Sequence, residues 1–375
     1  MDLTLNEAQR MLQQAARDFL EREAPKETIV RLMESDTGLP DGLWQTAAEL
    51  GWLGMLVPPE LGGSGNELTD VAVLFEELGK GPLPGPFFQS AVLGALTVLE
   101  AGTPAQRERL LPQVATGREV LAAAITEPDA SWGPQGVRLA PTRRGRDGRY
   151  ILSGVKLFVP DAPSATRFIV PVRTGAGESD VSLLLVGREQ AGVSVRNLAG
   201  FLGWQAEVRF DGVEVAASDL LGAENEGWAA LERAMERALP VLCAYAVGGC
   251  QAVFDMSVKY SQTRQQFGVP IGRFQRVQDH IIRLVNHLDA ARWTTYEALW
   301  KLDTGRPAKA SVHLAKAVAA EAYFEACNAA HEVHAGVGSV IEYGLVPHTR
   351  MSRSLFHYLG DPKWHKRRMA DALGW

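Results

Sequence analysis

One stretch decides the fold of this chain: Tyr260-Ser-Gln-Thr-Arg-Gln-Gln-Phe-Gly-Val-Pro-Ile-Gly-Arg-Phe-Gln275. Apolar residues at helical spacing lie on both sides of it, and glycine and proline interrupt its centre. We therefore predict that one helix ends here and that a second begins after a sharp loop. Arg264 and Gln275 stand on either side of the loop, and an arginine supplies a planar cation suited to diphosphate.

Helical patterns dominate the chain up to about residue 118. Residues 3–23 carry apolar side chains at helical spacing, and Asn6 is placed to cap that helix. Further helical patterns cover residues 43–50, 69–78 and 88–101. The loop Val57-Pro-Pro-Glu-Leu-Gly-Gly-Ser-Gly65 is dense in turn formers and separates two of them.

The pattern changes to short strands near Glu119. Apolar and β-branched runs at 120–126, 150–154, 167–172, 181–186, 193–195 and 206–213 are separated by Gly, Pro and Asp. Such spacing is typical of a β-sandwich or barrel. Helical periodicity returns at Gly227, breaks at Gly305-Arg-Pro307, and continues towards the C-terminus.

The predicted fold class is therefore α+β with several domains. The predicted domains are an N-terminal helical domain (1–118), a central β-domain (119–226) and a C-terminal helical domain (227–375). No alternating β-α-β rhythm is present, which argues against a doubly wound dinucleotide fold.

Composition excludes several classes of protein. The chain has 375 residues, of which 46% are hydrophobic, and its formal net charge is −6. A nucleic-acid partner would require a basic face. The first residues lack the basic start and apolar run that are typical of a signal peptide, and no uninterrupted apolar run of about 18 residues predicts a spanning helix. Three cysteines without close pairs (Cys243, Cys250 and Cys327) indicate reduced thiols and a cytoplasmic location.

These motifs, in this order, resemble those of the acyl-CoA dehydrogenase family. Its signature, Tyr-x-x-x-Arg-x-x-Phe-Gly-x-x-(Ile/Leu)-x-x-x-Gln, matches residues 260–275. Other family-like segments are Glu49–Gly65, Ala124-Ile-Thr-Glu-Pro128, Asp211–Val215 with Leu221-Gly222, His334–Ser339 and Glu342-Tyr343. The resemblance covers nearly the whole chain. It implies a C-terminal four-helix bundle and oligomerisation through that bundle as dimers or tetramers.

The resemblance also implies FAD as cofactor. Thr126, in Thr-Glu-Pro, corresponds to the residue that hydrogen-bonds the pyrimidine edge of the flavin, where donors are needed as charge develops. Arg264 would bind the diphosphate, Phe267 would pack near the cofactor, and Gln275 would offer its amide. In the family this turn holds the FAD of a neighbouring subunit.

A second cofactor loop comprises Glu332 and Gly336. The family has Gln-x-x-Gly-Gly at this point, and Glu332 replaces the glutamine. A carboxylate near a diphosphate is unfavourable unless it is paired.

The chain departs from the family at the general base. Family enzymes remove the α-proton of an acyl-CoA with a glutamate, whose contribution is typically about 10²–10⁴-fold. Tyr358-Leu-Gly-Asp361 matches the family's Tyr-Glu-Gly-Thr, which places Leu359 at the base position. The alternative position, on the long helix, is Ala238. Leu359 still provides the main-chain N–H that serves as an oxyanion-type donor in the family.

Three other side chains are candidates for a general base at a different position. Asp361 lies two residues after Leu359, and it is otherwise a helix cap. Glu236 lies two residues before Ala238, and it is otherwise solvated. Tyr245 shares a helix face with Ala238, but an ordinary tyrosine pKa near 10 makes it a poor base.

Further departures affect the flavin and substrate contacts. A Trp-x-Thr segment normally covers the flavin, and its threonine contacts N5; here the segment is Lys156-Leu-Phe-Val-Pro-Asp161. Pro160 has neither a hydroxyl nor an N–H. Asp129-Ala-Ser-Trp-Gly133 replaces Gly-Ala-Gly-Ser-Asp, and Leu239 replaces a basic residue.

Two remaining clusters are weaker. His331 and His334 are three residues apart, but too few ligands accompany them, so no metal site is predicted. Lys363-Trp-His-Lys-Arg-Arg368 predicts a solvated or interfacial basic face, with contact to CoA phosphates as the alternative.

The functional prediction is an FAD-dependent acyl-CoA dehydrogenase, or a subunit of one, that lacks the usual glutamate. Some family members are α₂β₂ heterotetramers in which one subunit lacks the base, and these often oxidise bulky, steroid-derived acyl chains. The partner is then a homologous subunit, and electron-transfer flavoprotein is the expected electron acceptor. The alternatives are a homo-oligomer with a relocated base and a non-catalytic subunit or scaffold that binds acyl-CoA or flavin.

Overall fold

The computed structural model shows helices, then strands, then helices along the chain, as the sequence predicted. It describes residues 4–39, 41–129, 131–144, 148–201 and 204–375. Leu3, where the first helical pattern begins, and Ala130, within the segment after Thr-Glu-Pro, lie outside the described residues.

The N-terminal region contains helices with strong start signals. Asn6 caps the first helix as predicted: its side chain accepts from the Gln9 N–H at 2.8 Å, and the Gln9 side chain accepts from the Asn6 N–H at 3.0 Å. A π-helical segment, Phe87–Gly94, directly precedes α5. The helices are α1 (Glu7–Glu23), α2 (Lys26–Met33), α3 (Asp41–Glu49), α4 (Leu68–Lys80), α5 (Ala95–Ala101) and α6 (Pro104–Ala115).

The middle of the chain forms two four-stranded sheets, which confirms the predicted β-domain. One sheet has the order β1-β4-β5-β8, with β1 and β4 parallel, and the other is the antiparallel β2-β3-β7-β6. Both sheets contribute to one apolar core that includes Tyr150, Phe168 and Phe210. The strands are β1 (Leu121–Ala123), β2 (Thr142–Arg144), β3 (Arg149–Pro160), β4 (Arg167–Arg173), β5 (Val181–Gly187), β6 (Val193–Asn197), β7 (Gln205–Val215) and β8 (Leu220–Leu221).

Long helices fill the C-terminal region. The predicted sharp loop is a short hairpin, β9 (Gln265–Gln266) and β10 (Val269–Pro270), between the first two of these helices. The third helix packs against the second, fourth and fifth. They are α7 (Gly227–Thr263), α8 (Gln275–Asp303), α9 (Lys309–His334), α10 (Leu345–His357) and α11 (Pro362–Leu373).

Helix α7 is more apolar than the sequence prediction allowed. It contains an 18-residue window of mean hydropathy 1.4, so by length and composition alone it would be able to cross a membrane. The prediction required an uninterrupted apolar run and therefore missed it. Because 67% of that window is buried within the structure, the apolar side chains have partners in the protein itself.

The chain forms two compact units that cut across its linear order. The first comprises the segment that ends at Met33, residues 67–83 and residues 239–375; the second comprises residues 34–66 and 84–238. Helix α4 therefore belongs with the C-terminal helices. The limits 1–118, 119–226 and 227–375 stay a prediction.

Within the first unit, α4 and α7 approach at glycines on both helices. A Cβ atom at Gly79 would overlap the carbonyl oxygen of Tyr245, and one at Gly248 would overlap that of Glu76. Any side chain at either position would force the two backbones apart. The glycines thus fix how closely these two helices pack.

Candidate active site

The turn between α10 and α11 contains Leu359, which the resemblance predicts to stand at the position of the family's base. Leu359 and Gly360 have φ values of +56° and +106°, and Asp361 is the N-cap of α11. A bulky residue with positive φ is a rare, strained conformation. Leu359 is 4% exposed. This position is therefore occupied by a buried side chain that cannot accept a proton.

The three alternative candidates have other surroundings. The Asp361 carboxylate accepts a hydrogen bond from the Trp364 N–H at 2.7 Å, which is the capping role that the sequence left open. Glu236 is half-buried rather than solvated. The buried Tyr245 hydroxyl donates to the Leu83 carbonyl at 3.1 Å.

The second predicted base position, on the long helix α7, is also occupied by an apolar residue. Ala238 is fully buried, and Leu239 is 3% exposed. Thr126, Glu236 and Ala238 belong to the second compact unit, and the other candidate residues belong to the first.

A buried ion pair follows Thr126. Lys156 on β3 is fully buried, and its Nζ lies 2.7 Å from Glu127 Oε1. Glu127 also accepts from the N–H groups of Arg138 and Leu139 at 3.0 and 3.1 Å. Burial lowers the pKa of Lys156 to about 8, and the Glu127 carboxylate opposes that shift. The glutamate of Thr-Glu-Pro is thus an anchor for the strand beside the candidate flavin contact.

The segment that replaces Trp-x-Thr is irregular. Phe158 has a φ of +52° and is 50% exposed, and Asp161 has a φ of +54°. The pairing of β3 with β7 shifts register between Lys156 and Val159. An aromatic ring is therefore held outward next to Pro160, in a conformation that tertiary structure must stabilise.

Asp161 provides a pH test of this segment. Burial raises the pKa of its half-buried carboxyl to about 7, above the ordinary 3.8. Between these values the folded chain binds a proton that the unfolded chain does not, so the contribution to stability falls as pH rises from 4 to 7. Asp161→Asn, which tolerates positive φ, should raise the midpoint of urea denaturation at pH 8 and leave it unchanged at pH 4. The exposed Asp211→Asn serves as control; equal effects of both changes would contradict this expectation.

The signature turn exposes its three predicted cofactor-binding residues to solvent. Phe267 and Gly268 have φ values of +55° and +80°, and Phe267 is 92% exposed. Its ring lies edge-on to that of Phe274, with centroids 5.9 Å apart. Arg264 and Gln275 are exposed on either side, as predicted. An exposed aromatic pair beside a cation indicates a surface that is covered by a ligand or another chain.

An aromatic cluster connects this turn to the second cofactor loop. Tyr260 stacks on His334 at a centroid distance of 4.7 Å, and Tyr343 lies 6.1 Å from Tyr260 and 5.2 Å from His334. Glu332, in the last turn of α9, and Gly336, on the loop that follows this helix, are both exposed. Tyr260, His334 and Tyr343 belong to separate sequence motifs, and no local pattern predicts their contact.

Ala335 in this loop is strained. It has φ +51° and ψ −136°, a region that glycine occupies readily and alanine does not. Ala335→Gly is expected to raise the free energy of unfolding by about 1 kcal/mol, measured by urea denaturation. Ala335→Val should lower it, because a β-branched residue fits this backbone worse. If glycine destabilises the protein, the strain argument fails.

The histidine pair at His331 and His334 and the basic segment of α11 each make contacts within the protein. His331 Nε2 lies 2.8 Å from the Thr349 hydroxyl, and within the described ranges no three His, Cys, Asp or Glu side chains are grouped to hold a metal ion. Lys363, Lys366 and Arg367 on α11 are exposed, and Lys366 pairs with Glu321 at 2.6 Å.

Three family models match almost the entire chain. They describe the acyl-CoA dehydrogenase N-terminal domain over residues 6–118, the middle domain over residues 122–213 and the C-terminal domain over residues 225–374. A 3-(aryl)acrylate reductase of Clostridium sporogenes (strain ATCC 15579) is 30% identical and covers 98% of both chains. A probable acyl-CoA dehydrogenase of Bacillus subtilis (strain 168) is 31% identical over 92% of both.

Solved structures share the fold over the full length. Butyryl-CoA dehydrogenase from Megasphaera elsdenii has a TM-score of 0.92 at 25% identity and covers 100% of both chains. An FAD complex of PigA has a TM-score of 0.91 at 27% identity, covering 100% of this chain and 99% of that one. The ChsE4–ChsE5 complex from Mycobacterium tuberculosis gives 0.89 at 25% identity, with the same coverage.

Proposed function

Because the chain belongs to the acyl-CoA dehydrogenase family, we propose that it is one subunit of a heteromeric, FAD-dependent acyl-CoA dehydrogenase. It is an oxidoreductase of the type that acts on CH–CH bonds. In this proposal a homologous partner subunit carries the catalytic glutamate, and this chain completes the cofactor site of that partner.

One observation carries the subunit proposal. Leu359, at the position matching the family's glutamate, is a buried leucine in a left-handed turn, and the neighbouring Asp361 is engaged as a helix cap. Ala238, at the other base position, is buried and apolar as well. The ChsE4–ChsE5 complex, a similar fold in a two-protein assembly, supports the heteromeric arrangement.

The chemistry of the exposed residues fits FAD held between chains. Arg264 would bind the diphosphate, Phe267 would cover part of the cofactor, and Gln275 would donate its amide. Thr126 would bond the pyrimidine edge. When bound, FAD accepts a hydride from the β-carbon of the acyl group. The FAD complex of PigA, with the same fold, supports this assignment.

The Leu359 turn retains a role in substrate binding. Its buried N–H finds no hydrogen-bond acceptor among the described residues. A thioester carbonyl is a fitting acceptor, because a buried N–H without a partner costs about 1–3 kcal/mol. The proposed ligand is therefore an acyl-CoA, with a bulky, steroid-like acyl chain as the favoured class.

Electron-transfer flavoprotein is the proposed electron acceptor, and the proposed location of the protein is the cytoplasm.

Flavin stoichiometry tests this proposal. The purified chain alone should hold well below one FAD per chain, and co-expression with a homologous, glutamate-bearing subunit should give about one FAD per two chains in an active complex. Arg264→Ala in that complex should weaken FAD binding about 10- to 100-fold, as loss of a charged phosphate contact implies. Arg276→Ala, which removes another exposed arginine at the start of α8, is the control.

The alternatives give different outcomes. A lone chain that binds FAD stoichiometrically and reduces an acceptor with acyl-CoA would sink the subunit proposal. Glu236→Gln and Asp361→Asn then locate a relocated base, and the half-buried Glu236 is the stronger of the two. Binding of acyl-CoA without flavin bleaching in any assembly would identify a scaffold.

A further inference from the structure

Buried donors hold the backbone behind Leu359. Lys316 on α9 donates from Nζ to the carbonyl oxygens of Leu355 at 3.2 Å and Gly360 at 3.3 Å. His365 Nε2 lies 3.0 Å from the Leu359 carbonyl oxygen. Since a carbonyl only accepts, Nε2 carries the proton. Both peptide planes that follow Leu359 are thus fixed by side chains.

A second histidine fixes the tautomer of the first. His313 Nδ1 lies 2.9 Å from His365 Nδ1. With His365 donating through Nε2, its Nδ1 accepts, so His313 donates through Nδ1. Burial lowers the pKa of His313 to about 3 and that of His365 to about 2, so both rings are neutral. The result is a directed chain from His313 through His365 to the turn.

A buried, charged Lys316 costs desolvation free energy at this position. It is 2% exposed, and within the described part of the chain no carboxylate lies within ion-pair distance. Burial lowers its pKa to about 8, an effect that the more distant Asp361 carboxylate partly opposes, so it carries a charge at neutral pH at a desolvation cost. An apolar side chain of similar length would avoid that cost. The retained charge therefore indicates a task other than stability.

We propose that Lys316 and His365, with His313 behind them, are positioning residues that keep the Leu359 N–H available to a thioester carbonyl oxygen. Because these donors hold the carbonyls of Leu355, Leu359 and Gly360 in place, they keep the turn in the conformation in which that N–H has no internal acceptor. The charge of Lys316 adds a positive potential where negative charge develops on the carbonyl oxygen. This inference rests on the proposed function, since it requires an acyl-CoA ligand.

Carbonyl-selective binding tests the inference without an activity assay. The probes are butyryl-CoA and 3-phenylpropionyl-CoA, each paired with its thioether (S-butyl-CoA and S-(3-phenylpropyl)-CoA), in which CH₂ replaces the carbonyl. Calorimetry on the purified chain, with excess FAD supplied and no glutamate-bearing partner present, should show the thioesters binding about tenfold more tightly. Lys316→Met and His365→Phe should reduce that ratio to about one without changing thioether affinity.

Two further variants separate positioning from stability. Lys316→Gln keeps a neutral donor to both carbonyls, so it should fold and lose only part of the ratio. Tyr323→Phe removes a different buried bond of α9, the 2.8 Å contact with His348 Nδ1, and should leave the ratio unchanged. A ratio unchanged in Lys316→Met and Lys316→Gln, or already near one in the wild type, overturns the inference. No binding of any acyl-CoA probe overturns the proposed function instead.

Discussion

Leu359→Glu is expected to confer acyl-CoA oxidation on this chain, in which we propose that the base is missing. The new carboxyl would stand at the position matching the family's base, and a positioned base contributes about 10²–10⁴-fold to proton abstraction. Burial would raise the pKa of that carboxyl towards neutrality, where a base is most effective. Since leucine already has a φ of +56° there, the exchange adds no backbone strain. The measurement is anaerobic bleaching of FAD by butyryl-CoA and 3-phenylpropionyl-CoA, with excess FAD supplied.

Leu359→Gln is the matched control, because it has the size of glutamate without its basicity. Both variants should bind FAD equally, and only the glutamate should bleach it. Bleaching by wild type at the same rate would show that another base acts, and equal rates in both variants would remove position 359 from the chemistry. Ala238→Glu tests the second position in the same assay.

Glu127→Gln is expected to destabilise the β-domain by about 3–5 kcal/mol at pH 6, because it leaves the fully buried Lys156 without its carboxylate. The loss should shrink at pH 9. The pKa of Lys156 is lowered to about 8 in the folded chain, so above that pH the lysine is neutral and the pair contributes little in wild type as well. Urea denaturation followed by tryptophan fluorescence at the two pH values gives both quantities.

The double variant Glu127→Gln/Lys156→Met completes the cycle. Replacing a buried pair by apolar or neutral groups is often close to neutral, so most of the lost stability should return. A double variant as unstable as Glu127→Gln alone would show that the backbone contacts of Glu127, rather than its pairing with Lys156, carry the effect.

Local signals in the sequence predicted most of the elements, although the short strands β2 and β8 were not among them. The Asn6 cap, the other strand runs and the sharp loop at Gly268 each follow from neighbouring residues, and the family models confirm the resemblance that their order suggested. Contacts between distant residues were not accessible in this way. In the sequence, Lys316 is one polar residue in an apolar helix. Only the folded structure shows that Lys316 on α9 and His365 on α11 bind the same turn at Leu359 and Gly360.

The candidate site was predicted in part for the same reason. The motif positions of Leu359, Arg264 and Thr126 are properties of sequence order, whereas the cap formed by Asp361 and the half-burial of Glu236 depend on geometry. Lys156 and Glu127 were quoted in separate motifs, and no local pattern signals that they pair. The left-handed backbone of Phe158 is imposed by tertiary structure against its own preference.

The glycine contact between α4 and α7 constrains how the chain folds during synthesis. The second compact unit ends at Ala238, so the ribosome delivers all of it before most of α7 emerges. Helix α4 is made much earlier, at a time when the α7 backbone that Gly79 contacts has not yet been synthesised. Helix α1 is made earlier and can cover part of α4, but the face of α4 that packs on α7 and α8 must remain uncovered on the nascent chain until those helices emerge. We therefore expect α4 to be the segment that a ribosome-associated chaperone holds, while the unit encoded around it closes first.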